Sequence, residues 1–142
     1  MKAMMTFLAI LTASSTAFAG REDLRTMRML TEIGAASEQF MSQIHMRLSD
    51  IDCSYSYYNG SHYVCSMKDE SANEGEGKVL VLRADAAKRL YTFLVKAGAA
   101  KTEAQGQAEI SVRELRCTQA VAGVMDGSEA QRTVCQVTLK GE

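Results

Sequence analysis

The run Ile51–Met67, IDCSYSYYNGSHYVCSM, decides how this chain is read. Asn59-Gly60 is a strong turn signal between two β-prone stretches. A loop of Tyr58-Asn59-Gly60, built as a type I turn with Gly60 left-handed in a bulge, sets Tyr57 opposite Ser61 and Tyr55 opposite Tyr63. It also sets Cys53 opposite Cys65, a pairing that a two-residue loop would miss by one position. Directly opposed residues bring their Cβ atoms ~4.5–5.5 Å apart, close to what a disulfide spans. The spacing therefore predicts a hairpin closed by Cys53–Cys65. Alternation then assigns the faces: Ile51, Cys53, Tyr55, Tyr57, Tyr63, Cys65 and Met67 point inward, and Ser54, Ser56, Tyr58, His62 and Val64 point outward.

Working outward, the same grammar recurs in Arg116–Leu139, RCTQAVAGVMDGSEAQRTVCQVTL. A Met125-Asp126-Gly127 loop sets Cys117 opposite Cys135, with Leu115, Cys117, Cys135, Val137 and Leu139 on the apolar face. In each hairpin an Asn or Asp sits midway between the cysteines and Gly follows it. These pairs use all 4 cysteines. Each bridge closes a short loop, which in the chain-entropy model contributes on the order of 3 kcal/mol.

The beginning of the chain, MKAMMTFLAILTASSTAFA, reads as a secretory signal. Lys2 supplies the positive start, Ala3 to Leu11 a short apolar core, and Ala17-Phe18-Ala19 a small-x-small cleavage site. That core is well short of the ~20 residues of a membrane span. The expectation is a leader over 1–19, removed, and one disulfide-stapled domain over 20–142, in the periplasm or secreted. Paired cysteines fit such a compartment. Formal charge is −1, with Lys and Arg scattered among acids. A clustered basic face, which phosphate backbones require, is missing, so no nucleic-acid partner is expected. With no further long apolar run, no stable membrane anchor is expected either.

Residues 22–48 carry a helical stripe of Leu24, Met27, Leu30, Ile33, Phe40, Ile44 and Leu48, which Gly34 kinks or divides. Lys78 to Leu82, KVLVL, is a continuous apolar run and reads as a central strand. Asp85 suits the N-cap of a helix reaching Ala97, with Ala87, Leu90, Tyr91 and Leu94 on one face and Gly98 ending it. KTEAQGQ reads as a polar connector into a strand that begins near Glu109. The order is helix, hairpin, strand, helix, hairpin. This is an α+β domain with helices packed on one face of a mainly antiparallel sheet and two disulfide-closed hairpins. The halves rhyme, each a helix followed by a Cys-closed hairpin, but their residue identities do not align. Between them KDESANEGEGK reads as an acidic surface loop.

Catalytic grammar is sparse. There are 2 histidines: His45 falls among Met and Leu on the first helix, and His62 on the outward face of the first hairpin. Both read as structural or surface residues. No G-x-S-x-G elbow, C-x-x-C pair, P-loop or EF-hand spacing occurs. Paired carboxylates of the kind a glycosidase uses are available among 17 Asp and Glu, yet no spacing singles any out. Neither metal nor cofactor is expected.

The segment SYSYYNGSHY, residues 54–63, has the composition of binding loops, in which Tyr gives contact area and Ser, Asn and Gly adapt. Tyr55, Tyr57 and Tyr63 are assigned to the core. Tyr58, with Ser56, Asn59 and His62 beside it, forms the candidate partner-binding tip. A second tip carries Gln119-Ala120-Val121-Ala122-Gly123, which is similar to the Q-x-V-x-G loop of cystatins, inhibitors of papain-like proteases in which a helix packs on an antiparallel sheet. The match covers five residues, three of them fixed. It departs from the family, whose motif follows the first strand after the helix and is helped by a Pro-Trp loop. This chain has 0 Pro and 0 Trp. The leading functional expectation is a non-enzymatic module binding another exported or envelope protein through its hairpin tips, as an inhibitor or accessory factor. The alternatives are a small cell-envelope hydrolase using paired carboxylates, and a small-molecule carrier roofed by the Met-rich first helix.

Overall fold

A computed structural model describes residues 21–40, 43–57, 60–71, 77–120 and 132–141. Its elements are α1 (Arg21–Glu32), β1 (Glu38–Phe40), β2 (Gln43–Ser56), β3 (His62–Asp69), β4 (Lys78–Arg83), α2 (Ala84–Lys96), β5 (Thr102–Ala104), β6 (Gln107–Ala120) and β7 (Thr133–Leu139). All strands belong to one sheet, and every pairing among the described residues is antiparallel. The long strands β2 and β6 form its centre. On the far side of β2 lie β1 and β3, and beyond β3 lies β4. On the far side of β6 lie β5 and β7. Leu30 of α1 and Leu90 and Leu94 of α2 pack with Met46, Leu48, Ile51, Ile110, Val112 and Leu115 in one core. Both disulfides lie within it, Cys53–Cys65 and Cys117–Cys135. Such bonds belong to an oxidising environment. Among the described residues, no helix is long and apolar enough to cross a membrane.

Several sequence expectations change. The helical stripe stops at Glu32, and Phe40, Ile44 and Leu48 lie in strands. Their spacing of four also fits a strand: Ile44, Met46 and Leu48 alternate with His45, Arg47 and Ser49, a period of two. The alternation is obscured because Asp50, at φ 50°, sits in a bulge that shifts the register between Ser49 and Asp52. Even positions face the core before it, and odd positions, from Ile51 on, face the core after it. His45 is therefore a half-buried strand residue rather than a helical one. KTEAQGQ is no plain connector but holds β5 and a tight turn. Gln105 (φ 50°) and Gly106 (φ 77°) are both left-handed, the signature of a type I′ hairpin. Among the described residues KVLVL is an edge strand, not a central one, since β3 alone pairs with it; its apolar run covers both faces, Leu80 and Leu82 buried and Val79 and Val81 facing out. Asp85 lies in the first turn of α2, where its charge suits the helix dipole. Arg83 holds the N-cap position without a side-chain cap.

The halves rhyme far more closely than inspection of the sequence suggests. Superposing the element order pairs Cys53 with Cys117, 64 positions on, and the same spacing relates β1 to β5 and β2 to β6. At this spacing Arg25/Arg89, Leu30/Leu94, Gly34/Gly98, Ala35/Ala99, Ala36/Ala100 and Gln43/Gln107 are identical. Both helices end in the same Schellman motif. Gly34 N–H donates to the Thr31 carbonyl at 3.2 Å and Ala35 N–H to that of Leu30 at 2.9 Å; Gly98 N–H donates to Val95 and Ala99 N–H to Leu94, each at 3.0 Å. Gly34 (φ 109°) and Gly98 (φ 102°) take the left-handed position that a Cβ disfavours. From Gln43↔Ala120 to Ser56↔Gln107 the central strands pair without a register shift, so a pseudo-two-fold axis crosses between Ser49–Asp50 and Arg113–Glu114. The helices cross over: α2 packs on β3 of the first half, and α1 on β7 of the second.

Candidate functional site

Opposite ends of the central strands carry the two hairpin tips. Since β2 pairs with Ala120 at its start and with Gln107 at its end, the described part of the first tip adjoins the β5–β6 turn, and the second hairpin leaves β6 at Ala120, beside Gln43; these are opposite ends of the central strands. Fourteen-residue strands rising ~3.4 Å per residue keep them roughly 40 Å apart.

At the first tip, Cys53, Tyr55 and Ser56 pair with Cys65, Tyr63 and His62. Ser56 and His62 are thus brought together, directly opposed on the open face beside Gln107. Tyr58 and Asn59, the other two residues of the proposed tip, lie outside the described residues. Gly60 has φ 110°, and Tyr57 N–H donates to the Gly106 carbonyl at 3.1 Å, fastening the tip to the turn of the other half.

On the helix side stands an aromatic ladder. Tyr55 stacks on Tyr63 with ring centroids 4.4 Å apart, Tyr91 from α2 meets Tyr63 edge-on at 5.4 Å, and Tyr57 lies 5.8 Å from Tyr55. Such geometries follow from the ring quadrupole and add to simple area burial. Tyr55 Oη is 3.1 Å from Ser61 Oγ. Burial pushes the Tyr91 phenol above its ordinary value. The ladder starts in the core at Tyr91 and ends in solvent at Tyr57, which is 52% exposed. Tyr57 does share the inward face, but it projects past the helical cover. Sequence reading assigned it to the core because alternation gives the face of a residue and not where the covering layer ends.

The second half solves the same positions differently. Gln119 and Thr133 replace Tyr55 and Tyr63, and Gln119 Nε2 donates to Thr133 Oγ1 at 3.1 Å. Met27 stands where Tyr91 does. A cavity of about 310 Å³ lined by Leu24, Met27, Ile44 and Gln119 lies in the place that the rings fill in the first half. Gln119 and Ala120 are paired strand residues, and the rest of the Q-x-V-x-G run lies outside the described residues. A larger cleft, about 710 Å³, runs between α1 and α2, with Arg25 and its counterpart Arg89 along it and the Lys96–Glu22 ion pair at 3.0 Å. Its charged groups are exposed, and they gather into no buried constellation.

The best-placed carboxylates serve the fold. Asp69, buried, accepts from Ala36 N–H at 2.6 Å and Ser71 N–H at 2.9 Å. Glu114 holds Arg47 and Arg116, each at 3.0 Å. Asp23, also buried, accepts from Cys135 N–H at 2.9 Å. Burial raises its pKa above the ordinary 3.8; the Cys135 hydrogen bond opposes that shift and the neighbouring Glu22 adds to it. Among the described residues no group of three or more His, Cys, Asp and Glu is placed to hold a metal ion. Comparisons with protein-family models, with curated proteins and with solved structures find no match.

Proposed function

We propose that this chain is an exported, non-enzymatic protein-binding module that engages another exported or envelope protein through the first hairpin tip. Tyr57 carries the reading: a half-exposed ring at the end of an aromatic stack rooted in the core. Its position is fixed by neighbours that are already ordered, so a partner gains contact area with little loss of side-chain entropy. Ser56 and His62 supply adaptable hydrogen-bonding groups on the adjoining face, and Tyr58 and Asn59 complete the tip in sequence. The leader-like start and the two disulfides support the periplasm or the medium as its compartment. Inhibitor and accessory factor are the two roles that such a stapled tip fits.

Affinity capture from periplasmic extract tests this. One stoichiometric protein partner is expected. Tyr57→Ala should weaken its binding by about 2 kcal/mol, as loss of an interface anchor does, with the thermal midpoint nearly unchanged. A partner held equally well by Tyr57→Ala, or turnover of envelope polymer by the purified chain, would overturn the reading.

A further inference from the structure

The sheet has two outer edges, and they are finished differently. Each disulfide joins residues whose Cα atoms are 4.0 Å apart, the narrow, non-hydrogen-bonded kind of antiparallel pair. The backbone groups of Cys65 and Cys135 therefore point away from their disulfide partners' strands. Those of Cys65 point at Leu82 of β4. Those of Cys135 meet no strand among the described residues; the N–H is taken by the Asp23 carboxylate instead. Position 87, the counterpart of 23, is an Ala, and its carbonyl lies 3.5 Å from Cys65 Sγ as that of Asp23 lies 3.6 Å from Cys135 Sγ. Asp23 blunts the β7 edge at Cys135, where no strand lies alongside among the described residues.

Among the described residues, no side chain does the same at the β4 edge. Because Leu82 and Leu80 turn their backbone groups to β3, Val79 and Val81 turn theirs outward, unpaired among the described residues. Their side chains are 62% and 51% exposed on the open face. Lys78 and Arg83 end the strand, with no carboxylate partner among the described residues, and Lys68, paired with Asp50 at 3.5 Å, stands opposite Val79. An uncovered edge of this kind is a template for one more strand.

We propose that β4 is a strand-addition site for an extended segment of another protein, with β-branched residues opposite Val79 and Val81 and an acidic residue towards Arg83 and towards Lys78. Area decides against a second copy: a stable dimer buries roughly 800 Å² per partner, and β4 offers a six-residue edge with two valines. Charge selects the sequence, since cations with no carboxylate partner among the described residues bracket the apolar pair. This site does not rest on the tip reading and uses none of its residues.

The test is a titration of the oxidised full-length mature chain with acetyl-Glu-Thr-Val-Thr-Val-Glu-amide, followed by amide exchange. Exchange at Val79 and Val81 should slow by roughly tenfold or more. Val81→Pro should abolish binding and leave the β3–β4 ladder intact, since it removes an N–H that the fold does not use. Replacing Val79 and Val81 together by Lys should do the same through lost contact area. A peptide with Lys at both ends should bind about tenfold more weakly. Tyr57→Ala should bind the peptide as the parent does, which keeps this result separate from the tip. Unchanged Val79 and Val81 exchange, binding that survives Val81→Pro, or equal affinity for the Lys-ended peptide would overturn the proposal.

Discussion

The two halves share a backbone plan and differ in what fills it. In the first, β4 lies beside β3, Ala87 sits under α2, and tyrosines pack the tip. In the second, no described strand lies beside β7, Asp23 sits under α1, and Gln119 with Thr133 replaces the ring pair. The difference shows why a buried carboxylate is tolerated at one of two matching positions. Burying a charge is costly unless it is hydrogen-bonded, and Asp23 has an outward N–H to bind because no described strand pairs with Cys135 there. At position 87 that N–H is already directed to β4, so a methyl group serves.

Exchanging these solutions gives the sharpest tests. Ala87→Asp should cost about 4 kcal/mol in urea denaturation, because its carboxylate would be buried with no donor facing it. A cost under about 1 kcal/mol would mean that Cys65 N–H is available and the β3–β4 pairing is wrong. Next come the disulfides. Replacing either pair by Ser should cost about 3 kcal/mol, with Cys117–Cys135 slightly the larger because its loop is longer, 18 against 12 in sequence separation. Peptide mapping without reductant that joined Cys53 to Cys117 or Cys135 would break the repeat altogether.

Asp23 separates hydrogen bonding from charge. Asp23→Ala leaves Cys135 N–H buried and unpaired and should cost about 2 kcal/mol. Asp23→Asn keeps an oxygen for that N–H and should stay within about 0.5 kcal/mol of the parent at neutral pH. The pH dependence has a definite sign. Because the folded-state pKa is raised above 3.8, the folded chain binds the proton more tightly than the unfolded one. The resulting stability is fully present below the unfolded value and is lost as pH rises through the raised folded value. Relative to Asp23→Asn, the parent should therefore lose stability as pH climbs through that window. A parent that gains stability over the same range would mean that hydrogen bonding to the carboxylate outweighs its burial.

How much of this was legible in the sequence follows from range. Turn chemistry is local, so Asn59-Gly60 and the cysteine spacing gave the first hairpin its register, and Gly98 marked the end of α2. Bulges are not local. Asp50 takes a left-handed conformation because the strands on either side need the shift, and a parity change there disguised Ile44, Met46 and Leu48 as part of a helix. The sequence also could not show that Asp23 meets Cys135, a contact across 112 positions. For the candidate site, Ser56 and His62 were placed correctly on one face by alternation. The exposure of Tyr57 depends on where α2 stops covering the sheet, which only packing decides. The 64-residue repeat was hidden because its identities are few and scattered, at Arg25/Arg89, Leu30/Leu94, the helix ends, Gln43/Gln107 and one cysteine, while most other matching positions differ, several of them in the core.

Amide hydrogen exchange on the oxidised, ligand-free protein tests most directly whether a side chain holds the outward Cys135 N–H of β7 while the outward groups of Val79 and Val81 in β4 have no partner among the described residues. Slow exchange at Cys135, lost in Asp23→Ala, is expected beside fast exchange at Val79 and Val81 and slow exchange at Leu80 and Leu82. Fast exchange at Cys135 in the parent, or protection at Val79 and Val81 without added peptide, would contradict it.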